Sequence, residues 1–228
     1  MQFPDTHLDL GCGTRPRNPY QRKQLYGVDI RELPSDLGFV ARAANLAVQP
    51  IPFDTDQFGS VSAFDFIEHV PRMLPTADGS GTRLPFIDLM NEIWRVLAPG
   101  GRLFAVTPAW PRAEAFVDPT HVNFITERTH RYFCGDEPLG RMYGFEGGFR
   151  ELRVMWVHHH PDAFVSDAGP ELKPANGGSG DRMVVPLHRH LARGVRDGLR
   201  VLRGKQPPVH TDLPGSHLLW ELEAVKPT

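Results

Sequence analysis

Cysteine is scarce. The 228 residues hold two, Cys12 and Cys134, and neither belongs to a CxxC pair. That excludes a disulfide framework, and two reduced thiols fit a reducing compartment. Excess charge of either sign is missing as well: 25 basic and 27 acidic residues leave a net −2. No global field draws in nucleic acid or an anionic membrane, so stable nucleic-acid binding is not expected. No apolar run approaches the roughly 18 residues of a membrane-spanning helix. The opening MQFPDTHLDLGCG has neither a basic n-region nor an apolar h-region, so no secretory signal is expected and a cytoplasmic location follows. There is no internal repeat with a period of about 20 to 50 residues. Hydrophobic residues at 40% and charged residues at 23% exclude wholesale disorder.

The pattern that remains is α/β. His7–Leu10 is a short apolar run that stops at Gly11-Cys12-Gly13. Gln24–Ile30 reads as a second strand with an acid near its carboxyl end, Phe39–Ala43 as a third, and Val61–Ile67 as a fourth ending in Glu68-His69. Phe86, Ile87, Met90, Ile93, Trp94 and Leu97 recur at helical spacing, with Pro99-Gly100-Gly101 as the stop. Arg102–Thr107 follows as a strand, and Phe149–His158 and His217–Val225 read as a terminal antiparallel pair. Strands alternating with a helix predict an α/β sheet. Residues 161–216 read as an insertion between the last two strands of a single domain. Within it, Leu187–Arg203 predicts an amphipathic helix, leucines on one face and arginines on the other, preceded by the glycine-rich Asn176–Gly180. Such a helix fits a solvated lid, a cover for an acidic substrate, or weak contact with a membrane surface.

Gly11 and Gly13 after a strand let backbone approach a ligand closely, or simply form a tight turn. In an open α/β sheet, ligands sit beyond the carboxyl ends of the strands, where Asp29 also lies; a carboxylate there accepts hydrogen bonds from ribose hydroxyls. A dinucleotide fingerprint needs a third glycine, and Pro16 stands in its place. That disfavours a nicotinamide-dependent oxidoreductase. The P-loop pattern is absent too, so a nucleoside without phosphates fits better.

Four segments in register, Leu8-Asp9-Leu10-Gly11-Cys12-Gly13, Gly27-Val28-Asp29-Ile30, Phe64–Val70 and Glu92–Gly101, resemble the class I S-adenosylmethionine-dependent methyltransferases, of the small-molecule, type 11-like kind. The resemblance covers about residues 5–108 and, loosely, the terminal strand pair. It implies a Rossmann-like sheet of seven strands, mostly parallel, with the last antiparallel. It further implies that Asp9, Gly11, Cys12 and Gly13 adjoin the methionine part of S-adenosyl-L-methionine. Asp29 would hold the ribose, Ile30 would pack on the adenine, and Asn45-Leu46 would line its edge. Phe66, Ile67 and Glu68 would face the amino group and sulfonium. Asparagine at 45 departs from the aspartate usual there, and Thr14-Arg15-Pro16 departs from a further glycine.

Methyl transfer from a sulfonium needs alignment and, for a hydroxyl or protonated amine, a base. His69 is one candidate. His121, within Asp118-Pro119-Thr120-His121, is the other, with Asp118 as the acid that orients it. The alternative is that Asp118 and Thr120 cap a turn and His121 fills a structural hydrogen bond. Trp110, Phe116 and Phe124 form either an aromatic substrate wall or a satellite core. His158-His159-His160 alternate faces on a strand and have no carboxylate or cysteine at a recognised ligand spacing, so no metal site is expected. The resulting expectation is methyl transfer to a hydroxyl or amine of a small molecule, with a sugar or secondary-metabolite intermediate as first guess. The alternatives are an RNA or protein methyltransferase and an inactive cofactor-binding subunit.

Overall fold

The computed structural model describes residues 3–165 and 215–227, all in one compact unit. The expected helix Leu187–Arg203, the loop Asn176–Gly180 and most of the insertion lie outside the described residues. No helix among the described residues is long and apolar enough to cross a membrane.

Seven strands form one sheet: β1 (Thr6–Leu10), β2 (Gln24–Asp29), β3 (Val40–Ala43), β4 (Phe58–Phe64), β5 (Leu97–Pro108), β6 (Phe149–Val157) and β7 (His217–Ala224). Their spatial order is β3-β2-β1-β4-β5-β7-β6. The pairs from β3 through β5 are parallel, and β7 runs antiparallel to both neighbours. The sheet is therefore mostly parallel with an antiparallel last strand, as expected. Its order reverses beside β1, between the outgoing β2 and the returning β4, and a ligand crevice belongs at that reversal.

Helix α1 (Pro85–Val96) begins with a proline at its first turn, where the missing N–H costs nothing. It buries Phe86, Leu89, Met90, Ile93 and Val96. Leu89 and Val96 replace Ile87 and Trp94 in the buried stripe. Trp94 is half-buried, and its indole donates to the Val225 carbonyl at 3.0 Å. The chain turns extended at Leu97, so β5 starts before the Pro99-Gly100-Gly101 stop rather than after it, with Gly100 at φ +76° absorbing the irregularity.

Two other boundaries differ from the sequence reading. β4 ends at Phe64, not Ile67. Asp65 adopts a left-handed φ of +47°, and Ile67–His69 close a 3-10 turn. Phe64, Phe66 and Ile67 look like one continuous strand because an unbroken apolar run hides where extended backbone stops. Residues 161–165, read as the start of the insertion, pack on the main body. Ala163 and Val165 are buried, and the Asn18 N–H donates to the Phe164 carbonyl at 2.7 Å.

No helix lies between β1 and β2; Gly11–Lys23 is turn and loop. Tyr20 and Phe164 from these irregular segments cover Phe64, Phe104, Val106, Val157 and Leu219. β7 is buried on both faces. Glu221 is thus an interior acid, held by the Tyr20 hydroxyl at 2.8 Å and Arg153 at 2.9 Å.

Candidate functional site

A cavity of about 430 Å³ opens at the carboxyl ends of β1, β2 and β4. Its walls include Gly11, Asp29, Ile30, Asn45, Leu46, Phe66 and His69. That volume lies within the range of small-molecule sites, about 300–1,000 Å³. Ile30 is 68% exposed and offers its side chain to the opening. The carbonyl of Asn45 accepts from the N–H groups of Val48 and Gln49, and its amide oxygen from Ala47, so a tight turn sets this wall.

Gly11 has φ +71°, and a Cβ there would stand 2.8 Å from Cδ2 of Phe66. The glycine makes room for the aromatic ring that lies across it. Gly13 has φ +52°, and its N–H donates to Oδ2 of Asp29 at 3.0 Å. The loop and the acid of the neighbouring strand are thereby one unit. Asp29 is gripped further: Arg31 donates to it through its backbone N–H at 3.0 Å, Nε at 2.8 Å and Nη2 at 3.2 Å. These Arg31 bonds hold the carboxyl below the usual range, against the opposing effect of burial.

Asp9 and Cys12 are buried and are not among the residues that line the cavity. The Cys12 thiol is buried against Gly27, where a Cβ has no room, and burial raises its pKa to about 12. Asp9 lies on the sheet face among buried polar groups. Its Oδ1 accepts from Ser62 Oγ at 2.5 Å and its Oδ2 from the Arg17 N–H at 2.8 Å. His7 bonds Ser60 through Nδ1 at 2.8 Å and Ser62 through Nε2 at 2.9 Å. The Ser62 hydroxyl is spent on Asp9, so His7 donates to it from Nε2 and accepts from Ser60 at Nδ1. The chain runs Ser60→His7→Ser62→Asp9. Burial lowers His7 to about 3, which keeps it neutral, and raises Asp9 to about 6.

Beyond the cavity a second group of side chains meets. His69 and His121 stand edge to face with ring centroids 4.8 Å apart. Thr120 Oγ1 donates to Asp118 Oδ1 at 2.6 Å and lies 3.0 Å from Nδ1 of His69. Its single proton is committed to Asp118, so His69 donates from Nδ1 and presents a bare Nε2. His121 Nδ1 likewise faces the Ala115 carbonyl at 3.3 Å. Asp118 approaches His121 only at 3.9 Å, so it orients His69 through Thr120 rather than His121 directly.

Glu68 is buried beside this pair. Thr107 Oγ1 donates to its Oε2 at 2.9 Å, while Oε1 has no hydrogen-bond partner. Burial raises its pKa to about 8. The Glu68 carbonyl accepts from the Val122 and Asn123 N–H groups at 2.9 Å, which ties this turn to the His121 segment. Ile67 is core. Trp110, Phe116 and Phe124 are about half exposed, the last two with centroids 5.1 Å apart, so they are not a satellite core. Sequence reasoning missed Arg31, Thr107 and Thr120 as site partners. Each adjoins a residue that had been singled out or ends a recognised strand, and only the folded contacts distinguish them.

No family model and no curated protein sequence matches this chain. Solved structures do resemble it. An S-adenosylmethionine-dependent methyltransferase from Archaeoglobus fulgidus matches with a TM-score of 0.51 at 13% identity, over 96% of this chain and 85% of that one. A chain from the complex of the Haloferax volcanii Trm112 methyltransferase activator with a methyltransferase matches at 0.50 and 13% identity, over 100% and 85%. At such identities the likeness is one of fold. The strand order and the antiparallel last strand are those of the class I methyltransferase fold.

Proposed function

We propose that this chain is an S-adenosylmethionine-dependent methyltransferase that acts on a hydroxyl or amine of a small molecule in the cytoplasm. The observation that carries the reading is the cavity where Gly11, Asp29, Ile30, Leu46 and Phe66 meet His69 at the sheet's reversal point. This set fits a nucleoside with an uncharged linker. Ile30 and Leu46 offer apolar surface for a base, Asp29 offers acceptors for ribose hydroxyls, and the N–H groups of Gly11, Cys12 and Gly13 are already given to Val28 and Asp29 rather than held for a pyrophosphate. The four donations that Asp29 already receives fill its lone-pair sites, so ribose binding requires the exposed Arg31 side chain to swing aside.

S-adenosylmethionine, when bound, supplies an electrophilic methyl group. The chain's own residues do the rest. His69, on the cavity wall with Nε2 unprotonated, takes the proton from the acceptor. Thr120 and Asp118 hold its tautomer and stabilise the imidazolium. The exposed rings of Phe116 and Phe124 offer flat apolar surface to an acceptor, which suits a sugar or an aromatic intermediate. The test is calorimetric titration with S-adenosylmethionine and NAD in parallel, followed by an acceptor panel. Micromolar binding of the former alone, weakened in Asp29→Ala, is the expected result. Preference for NAD would overturn the cofactor assignment. Binding without turnover on any acceptor would favour a non-catalytic subunit.

A further inference from the structure

A second set of ligand-type side chains lies outside the cavity, on the same edge of the sheet. Asp65 follows β4, His159 lies two residues beyond β6, and His217 opens β7. The two imidazoles stack with centroids 4.4 Å apart and planes 22° from parallel. Nε2 of His217 is 3.1 Å from Oδ1 of Asp65, and Nε2 of His159 is 3.5 Å from Oδ2. Yet Oδ1 is buried without an aligned hydrogen-bond donor. The nitrogens stand at ion-pair distance from the carboxylate without the alignment of a hydrogen bond to that oxygen. The two nitrogen–carboxylate separations match the edges of a polyhedron whose centre lies about 2.1 Å from each donor, the length of a Zn–N or Zn–O bond. All three donors lie within 4.8 Å of one another, and the stacked rings turn for both nitrogens to face one ion.

Three further features suit an ion. The other nitrogen of His217 bonds Ser216 Oγ at 2.7 Å, the outer contact that fixes a metal-binding imidazole and leaves Nε2 inward. Asp65 holds a left-handed backbone, a cost for a non-glycine residue that orients its carboxylate toward the two rings. His217 is buried, whereas His159 and Asp65 keep about a quarter to a third of their side-chain surface, so solvent can fill remaining coordination positions. Arg17 is the nearby cation. Its guanidinium lies 4.7 Å from the Phe64 ring centroid and donates to the Pro161 carbonyl. One carboxylate close to an arginine makes a poor site for Ca²⁺ or Mg²⁺, which need several anionic oxygens. Two imidazoles and one carboxylate suit a borderline transition ion.

We infer that Asp65, His159 and His217 form a binding site for a divalent transition metal of the zinc type, which clips the end of β4 to the β6–β7 pair. The inference does not depend on the methyltransferase reading. Local spacing did not reveal the site, because its ligands come from three distant segments.

The probe is Co²⁺, with Zn²⁺ in competition, added to the full chain stripped with chelator. The expected result is 1:1 binding with visible d–d absorption, displaced by Zn²⁺, and a metal-dependent rise in Tm. Asp65→Asn keeps a residue that tolerates the left-handed backbone, and His159→Gln alters a partly exposed position. Each is expected to weaken Co²⁺ at least tenfold. His121→Gln, in the separate Glu68–His69–His121 cluster, is expected to leave this binding intact. No binding below millimolar, or binding lost in His121→Gln but kept in Asp65→Asn and His159→Gln, would overturn the assignment.

Discussion

Arg31 grips both oxygens of Asp29, at 2.8 and 3.2 Å, from a side chain that is 70% exposed. An exposed ion pair is worth only about 0.2–1 kcal/mol. Its competition with ribose is therefore mild. Arg31→Ala is expected to tighten S-adenosylmethionine binding by about two- to fivefold, and Asp29→Ala to weaken it by more than tenfold. Calorimetric Kd values for the two variants check the pair; weaker binding in Arg31→Ala would mean that the guanidinium itself contacts the ligand.

Gly11→Ala places a methyl group against Phe66 in a backbone that L-residues rarely adopt. The expected cost is about 1–2 kcal/mol of stability and a large loss of cofactor affinity. Pairing it with Phe66→Leu should recover part of the steric cost but not the backbone strain. Denaturant titration of the single and double variants separates the two.

Glu68 introduces a pH dependence with a definite sign. Its folded pKa of about 8 lies above the 4.5 of a free glutamate side chain. The folded state holds a proton that the unfolded chain releases, so this group's contribution is fullest below about 4.5 and is lost as pH rises through 8. Asp9, raised to about 6, acts in the same direction over a narrower window. His7, lowered to about 3, acts oppositely, with stability gained as pH rises from about 3 to 6.5. Above about pH 7.5 Glu68 is the main one of these three still titrating. Glu68→Gln is expected to flatten the decline in stability between pH 6.5 and 9, read by urea unfolding.

Thr120→Val removes the acceptor that holds His69 in its Nδ1–H form. The expected outcome is a kcat loss of about 10–100-fold with the KM for S-adenosylmethionine nearly unchanged. Asp118→Asn should have the same character and a smaller size, because it acts through Thr120. A rise in the cofactor KM without a change in kcat would place the pair in binding instead.

What the sequence disclosed was local. Gly11 and Gly13 ending a strand, Asp29 at the next strand's end and the stripe of α1 each occupy a few consecutive residues whose periodicity or chemistry is readable in one pass. His69 and His121 read as two separate candidate bases, and only the fold brings their rings together. What stayed hidden depends on pairing across the sheet. Phe66 reads as the continuation of β4, and only the turn at Asp65 lays it across Gly11. Nothing in the local sequence singles out Arg31. Cys12 and Asp9 lie beside the glycines in sequence, yet the fold buries the first against Gly27 and bonds the second to Ser62 and the Arg17 N–H.

The relay Ser60→His7→Ser62→Asp9 makes the central strand pairing selective. His7 pairs with Ser60 and Asp9 with Ser62 in the β1–β4 ladder. A slip of one residue would present Val61 and Ala63 to those two side chains, leaving His7 without either serine and Asp9 Oδ1 without Ser62. Each orphaned group costs about 1–3 kcal/mol, so the misaligned ladder is penalised at two places at once. Apolar residues at these four sites would pack comparably in either alignment. The polar ones act as a key that fits one notch, setting the relative height of the two strands whose ends form the cavity floor.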